Sequence, residues 1–171
     1  RCLGCHACEV ACKQEHDLPV GLRRIQVVEL GPRRVSGTVC RDFVPLICFQ
    51  CTDPQCVAIC PAKALSRDDA GVVRVDEAKC AGCGLCMMAC PHGAMGANPD
   101  SSKAGKCDFC TGLREKGLGP SCVSHCPGNA LNLGEASEFD EITSAKYSTR
   151  VGRVVYVSQT WKLPLAQAIT E

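Results

Sequence analysis

Apolar positions along this chain come in short runs, and none is long. Arg24–Leu30 (RIQVVEL) and Val35–Val44 are rich in β-branched residues and separated by Gly31–Pro32, which predicts the two strands of a hairpin. Ala64–Leu65, a polar Asp68–Asp69–Ala70–Gly71 turn and Val72–Val75 predict a second, smaller hairpin. Glu9–His16 reads as a short helix stopped by Pro19 and Gly21. Ser137–Lys146 reads as another, with Ser137 as N-cap and acidic residues in its first turn. Arg153–Ser158 (RVVYVS) predicts a strand, and the residues around Trp161 and Leu163–Pro164 an extended tail that packs on its own domain or on a partner. No apolar run approaches the roughly 18 residues that span a bilayer. The pattern describes a small, loop-rich α+β chain whose conventional core is thin.

Composition says what fills that core. Of 171 residues 17 are cysteine, while only seven are aromatic. The formal charge is +1 and the Lys and Arg residues are scattered, so there is no basic stripe for nucleic acid. An odd cysteine count fits a pure disulfide framework poorly. The spacing is more decisive. Cys2, Cys5, Cys8 and Cys12 form C-x2-C-x2-C-x3-C, and Cys80, Cys83, Cys86 and Cys90 repeat it, followed by Pro91. Cys48, Cys51, Cys56 and Cys60 form C-x2-C-x4-C-x3-C before Pro61; Cys107, Cys110, Cys122 and Cys126 form C-x2-C-x11-C-x3-C before Pro127. Sixteen cysteines fall into four fours. Only Cys40 is left over, read as a small buried hydrophobe and not as a ligand.

Thiols at three-residue steps wrap the corners of a [4Fe–4S] cube, and a fourth cysteine followed by proline reaches a neighbouring cube. Zinc asks instead for two separated knuckles around one ion, so a zinc-binding interaction module is the weaker reading. No G-x-G-x-x-G or Walker loop suggests a nucleotide cofactor. With four cysteines for every cluster, no iron is left open to a substrate, and the expected role is electron transfer without catalysis. An oxidised cluster with its thiolates adds about −2, so four would take the chain to about −7.

The stretches CLGCHACEVAC, CFQCTDPQCVAICP, CAGCGLCMMACP and CDFCTGLREKGLGPSCVSHCP resemble the four-cluster ferredoxin subunits of molybdenum or tungsten pterin oxidoreductases and some hydrogenases. The resemblance covers roughly residues 1–135, with one departure: Lys13, and no proline, follows Cys12. It implies a large catalytic oxidoreductase subunit and a further redox partner. A hydrogenase or carbon monoxide-oxidising system, or a free polyferredoxin, is the alternative setting.

The four groups can pair in two ways. The predicted hairpin between Cys60 and Cys80 is the connection expected inside a two-cluster unit, which joins groups two and three and leaves one and four to pair around them. The adjacent pairing stays open, because the Cys90–Cys107 connector can also host a turn. The resemblance implies the nested scheme, with fourth cysteines exchanged within each pair. Cys2, Cys5, Cys8 and Cys126 would then hold cluster 1, and Cys107, Cys110, Cys122 and Cys12 cluster 2. Cys48, Cys51, Cys56 and Cys90 would hold cluster 3, and Cys80, Cys83, Cys86 and Cys60 cluster 4. The domains expected are an outer bicluster unit (1–21 with 101–135), an inserted hairpin (22–47), an inner bicluster unit (48–100) and a C-terminal extension (136–171). The resemblance also places cluster 1 toward the catalytic subunit.

Smaller signals are weighed against ordinary packing. His6, His92 and His125 lie within or beside the groups as non-ligands that could tune a cluster. Met87 and Met88 read as packing over a cluster; Lys79, Lys106 and Lys116 flank the cysteine loops, where they could raise cluster potentials electrostatically, with solvated surface lysines as the default reading. Many thiolate ligands favour a reducing setting, cytoplasmic or reached by export with a partner. Arg1 with a ligand at position 2 leaves room for a preceding strand or targeting peptide.

Overall fold

Strands form where β-branched residues recur. The longest pair in the computed structural model, which describes residues 1–134 and 147–158, is the hairpin β1 (Ile25–Val35) and β2 (Thr38–Ile47). It does not turn at Gly31–Pro32. The register runs from Ile25 opposite Ile47 to Leu30 opposite Asp42, shifts, and resumes from Arg33 opposite Cys40 to Val35 opposite Thr38. Proline brings no N–H to the ladder, so the strand absorbs Gly31–Pro32 as an irregularity. The chain reverses instead at Ser36–Gly37, whose φ of 49° and 85° supply the two left-handed residues of a tight hairpin turn.

The second hairpin is where the sequence put it, with β3 (Leu65–Arg67) against β4 (Val73–Val75). Asp68 closes its turn by accepting the Val72 N–H at 2.8 Å and Arg74 Nε at 2.9 Å. A third, β5 (Gly96–Ala97) with β6 (Ala104–Gly105), occupies the Cys90–Cys107 connector. Both connectors therefore carry a hairpin, and a hairpin alone does not choose between the two pairings. The predicted Arg153–Ser158 strand is β8 (Val154–Ser158), and its partner β7 (Tyr147–Val151) was not foreseen. The helix expected over Ser137–Lys146 and the tail around Trp161 lie outside the described residues.

The helix expected over Glu9–His16 is α1 (Ala7–Glu15). The others, α2 (Gln55–Ala58), α3 (Leu85–Ala89), α4 (Thr111–Arg114) and α5 (Ser121–Ser124), are single turns. Among the described residues no helix is long and apolar enough to cross a membrane. Two small cores result, and cysteines belong to both. One joins Ala64, Leu65, Val73 and Ala104 to Cys80 and Cys86; the other joins Ile25 and Val27 of β1 to Cys8 and Cys12. The β1–β2 hairpin is thus packed onto the first cysteine group.

Candidate iron–sulfur centres

Each cysteine group is a tight loop followed by a helix or a single helical turn. The loops share one backbone feature. In all four C-x-x-C steps the residue before the second cysteine is left-handed: Gly4 (φ 66°), Gln50 (50°), Gly82 (71°) and Phe109 (56°). Two of these are glycine, for which the conformation is free, and two carry side chains that must hold it at a cost. The exits repeat as well. After Cys60, Cys90 and Cys126 a proline stops the helix, and Lys63, Gly93 and Asn129 turn left-handed while their N–H groups bond the cysteine carbonyl at 3.1–3.3 Å. The next residue, Ala64 or Ala130, donates its N–H to the sulfur of Cys60 or Cys126 at 3.3 and 3.2 Å.

The loops bring cysteines from different groups together. Cys80, Cys83 and Cys86 line one cavity with Cys60, roofed by Leu65 and Ala104. Cys2, Cys5 and Cys8 line another with Cys126, beside Val27 and Leu131. Elsewhere the thiols feel one another electrically. Burial pushes Cys56 up to about 11, with Cys48 and Cys90 adding and the Lys106 ammonium opposing; Cys51 is raised by burial and by the same two cysteines. Burial pushes Cys12 up to about 12, reinforced by Cys107 and Cys110, and Cys122 up to about 12, reinforced by Cys110, Cys12 and Cys8.

These sites fit iron–sulfur clusters on their own chemistry. The donors are soft thiols, four in each of the two cavities, and a cation is what such buried thiols need before they can lose their protons. Backbone N–H groups already point at sulfur: Ala104 at Cys80 (3.4 Å) and Phe109 at Cys107 (3.4 Å) join the two alanines above. Arg24 Nε, buried beside the fourth group, has no hydrogen-bond partner among the described residues, as a donor awaiting cluster sulfide would.

The minor residues divide. Lys79 is exposed and paired with Asp76 at 2.9 Å, and Lys116 is exposed, as expected. Lys106 is the exception: it is 3% exposed, so the surface reading is corrected. Met87 packs on the inner core, whereas Met88 is 85% exposed and so does not serve as a cluster cover. Cys40 is half-buried on β2, less enclosed than expected, because it faces out beside the irregularity opposite Arg33. His6 bonds Glu9 at 3.0 Å, His125 Nδ1 lies 2.9 Å from the Ser121 carbonyl, and His92 stacks edge-on against Phe49.

The histidine that does reach a sulfur is His16, its Nε2 3.3 Å from Cys110 Sγ. Burial lowers its pKa, which keeps the ring neutral and able to donate from Nε2. Sequence reading passed it over, although the signal was present. With Lys13 in place of proline, α1 runs one turn beyond Cys12 and carries His16 across to the fourth group.

Comparison with known proteins agrees with this chemistry. Residues 39–136 match the model of the 4Fe-4S dicluster domain. The chain is 42% identical over 142 residues to the thiosulfate reductase electron transfer subunit PhsB of Salmonella typhi, covering 82% of this chain and 74% of that one. It is 37% identical to a chain of polysulfide reductase from Wolinella succinogenes (80% and 73% covered). It is also 37% identical to a subunit of tetrathionate reductase from Salmonella typhimurium (81% and 56% covered). The chain therefore belongs to the 4Fe-4S dicluster family of iron–sulfur electron-transfer subunits, and is not itself a catalyst.

Proposed function

We propose that sixteen cysteines of this chain hold four [4Fe–4S] clusters in the nested arrangement, and that the chain conducts single electrons between a catalytic subunit and a redox partner. The observation that carries the reading is the pair of cavities in which three cysteines of one group meet the last cysteine of another: Cys126 with the first group and Cys60 with the third. The electrostatic neighbours of Cys12, Cys51 and Cys56 support the other two sets, Cys12 with Cys107, Cys110 and Cys122, and Cys90 with Cys48, Cys51 and Cys56.

Each cluster, when bound, takes up and gives back one electron. The chain's part is to bind, insulate and bias. Left-handed loop residues aim the cysteines, the apolar residues of both cores exclude water, and backbone N–H groups stabilise charge on sulfur. The catalytic partner is a molybdenum or tungsten pterin reductase. Relatives named for thiosulfate, polysulfide and tetrathionate reductases support an inorganic sulfur compound as its substrate.

Iron and acid-labile sulfide analysis of anaerobically purified chain tests the count, with about sixteen iron atoms expected; about eight would overturn it. Cys60→Ser tests the nesting. It should disturb the cluster that Cys83→Ser disturbs, and a match with Cys5→Ser would favour adjacent pairing. Molybdenum or tungsten in a co-purifying large subunit supports the partner assignment, and nickel opposes it.

A further inference from the structure

Lys106 is buried to 3% exposure, and no carboxylate among the described residues lies within ion-pair distance of it. Its ammonium donates to the Cys107 carbonyl at 2.7 Å and to Gln50 Oε1 at 3.4 Å. Gln50 is fully buried. Its Nε2 donates to the same Cys107 carbonyl at 2.7 Å, and its Oε1 also accepts the Val73 N–H at 2.8 Å. The pair therefore ties the loop of the second cysteine group to the first cysteine of the fourth. A buried cation held only by neutral oxygens is expensive unless a negative charge stands close by. The thiols that feel the ammonium are Cys51 and Cys56 on one side and Cys107 on the other.

The geometry points to Lys106 as a shared counter-cation at the junction of the two cluster pairs, raising the reduction potentials of the clusters on either side of it. The inference rests on the ligand sets proposed above: its two neighbours are the cluster of Cys48, Cys51, Cys56 and Cys90 and the cluster of Cys12, Cys107, Cys110 and Cys122. Reduction adds negative charge beside a fixed positive one, so the reduced form gains more than the oxidised form. Gln50 acts as the positioning residue that holds the ammonium between them. The effect is unequal. The outer of the two neighbours also has the Arg24 guanidinium close by, its Nη1 3.8 Å from Asp108, which lies between Cys107 and Cys110.

The test is a potentiometric titration of the full chain, followed by electron paramagnetic resonance, for wild type, Lys106→Met, Lys106→Arg and Gln50→Glu. Signals are assigned with Cys51→Ser and Cys110→Ser. Lys106→Met should lower the inner neighbour's reduction equilibrium about tenfold, equivalent to about 59 mV for one electron. It should lower the outer neighbour's by less and leave the two end clusters in place. Lys106→Arg should restore both. Gln50→Glu, which sets a carboxylate against the ammonium without removing it, should shift the same two clusters in the same direction. Sixteen iron atoms with unmoved potentials, or four potentials falling together, would overturn the inference. Fewer than sixteen in the wild type would overturn the cluster reading instead. Loss of iron in Lys106→Met and Gln50→Glu with retention in Lys106→Arg would still assign the charge, and loss in all three would reduce Lys106 to packing.

Discussion

The second and third cysteine groups and the first and fourth are built from the same loop, yet their surroundings differ. The inner groups lie next to each other in sequence and enclose their own hairpin, β3–β4, whose Leu65 and Val73 complete their core. The first and fourth groups meet across the two that lie between them in sequence, through α1 against α5, where Ser121 Oγ donates to the Ala11 carbonyl at 3.3 Å. Their core is borrowed from β1. A local unit closes a short loop and a distant one a long loop, so the outer pair depends more on each contact that joins its halves. The difference begins at a single position. Three groups end in cysteine–proline; the first ends in Cys12–Lys13, and only there does a helix run on.

The hardest test of that contrast is Lys13→Pro, which gives the first group the ending of the others. Proline inside α1 removes a helix hydrogen bond and clashes with the preceding turn, at about 3 kcal/mol. It also deletes the ammonium that donates to the carbonyls of Pro19 (2.8 Å) and Leu22 (3.1 Å), a further ~1 kcal/mol for each bond. Denaturant unfolding of the iron-loaded chain should register the sum. Iron analysis should show loss from the outer pair with the inner pair kept. Equal loss from both would erase the distinction between them.

The converse is Leu65→Ala, which empties the private core of the inner unit. Leu65 is 4% exposed against Ala64, Val73 and Cys80. Removing it should destabilise by about 3 kcal/mol, with the inner clusters now the first to be lost to a chelator. A smaller effect follows from the loops. Gly4→Ala and Gly82→Ala each place a side chain at a left-handed residue, at about 1 kcal/mol or somewhat more. The outer substitution should be worse, because its methyl would sit 2.7 Å from the Phe43 ring, against 3.0 Å from the Ser102 carbonyl at Gly82. Thermal unfolding midpoints of the two variants measure the order directly.

How much of this could be read beforehand depends on the range of the interaction. Cysteine spacing is local, so all sixteen candidate ligands, α1 and the β3–β4 hairpin were visible in the chain. The turn of the long hairpin was misplaced because Gly31–Pro32 is the louder turn signal, while the pairing of β1 with β2 prefers Ser36–Gly37. Gln50 and Phe109 give no sign of their left-handed backbones, since the conformation is imposed by the loop and not chosen by the residue. Lys106 could not be seen as buried, because what buries it is the meeting of two groups far apart in sequence. The partner of β8 and the reach of His16 are long-range facts of the same sort.

His16 supplies the finest test of the comparison. Among the described residues it is the histidine with a ring nitrogen on a cysteine sulfur, and it owes that place to the longer helix of the outer pair. A hydrogen bond to a ligand thiolate stabilises the more negative, reduced state more than the oxidised one. His16→Leu keeps the bulk and removes the donor. It should lower the potential of the cluster held by Cys110 by no more than about tenfold in equilibrium constant, roughly 60 mV for one electron. The inner clusters should not move. The asymmetry between the pairs then reaches the electrons themselves, because a donor that the inner pair lacks would bias the outer pair toward reduction. A potential unchanged in His16→Leu, with all iron retained, would leave the longer helix a purely structural difference.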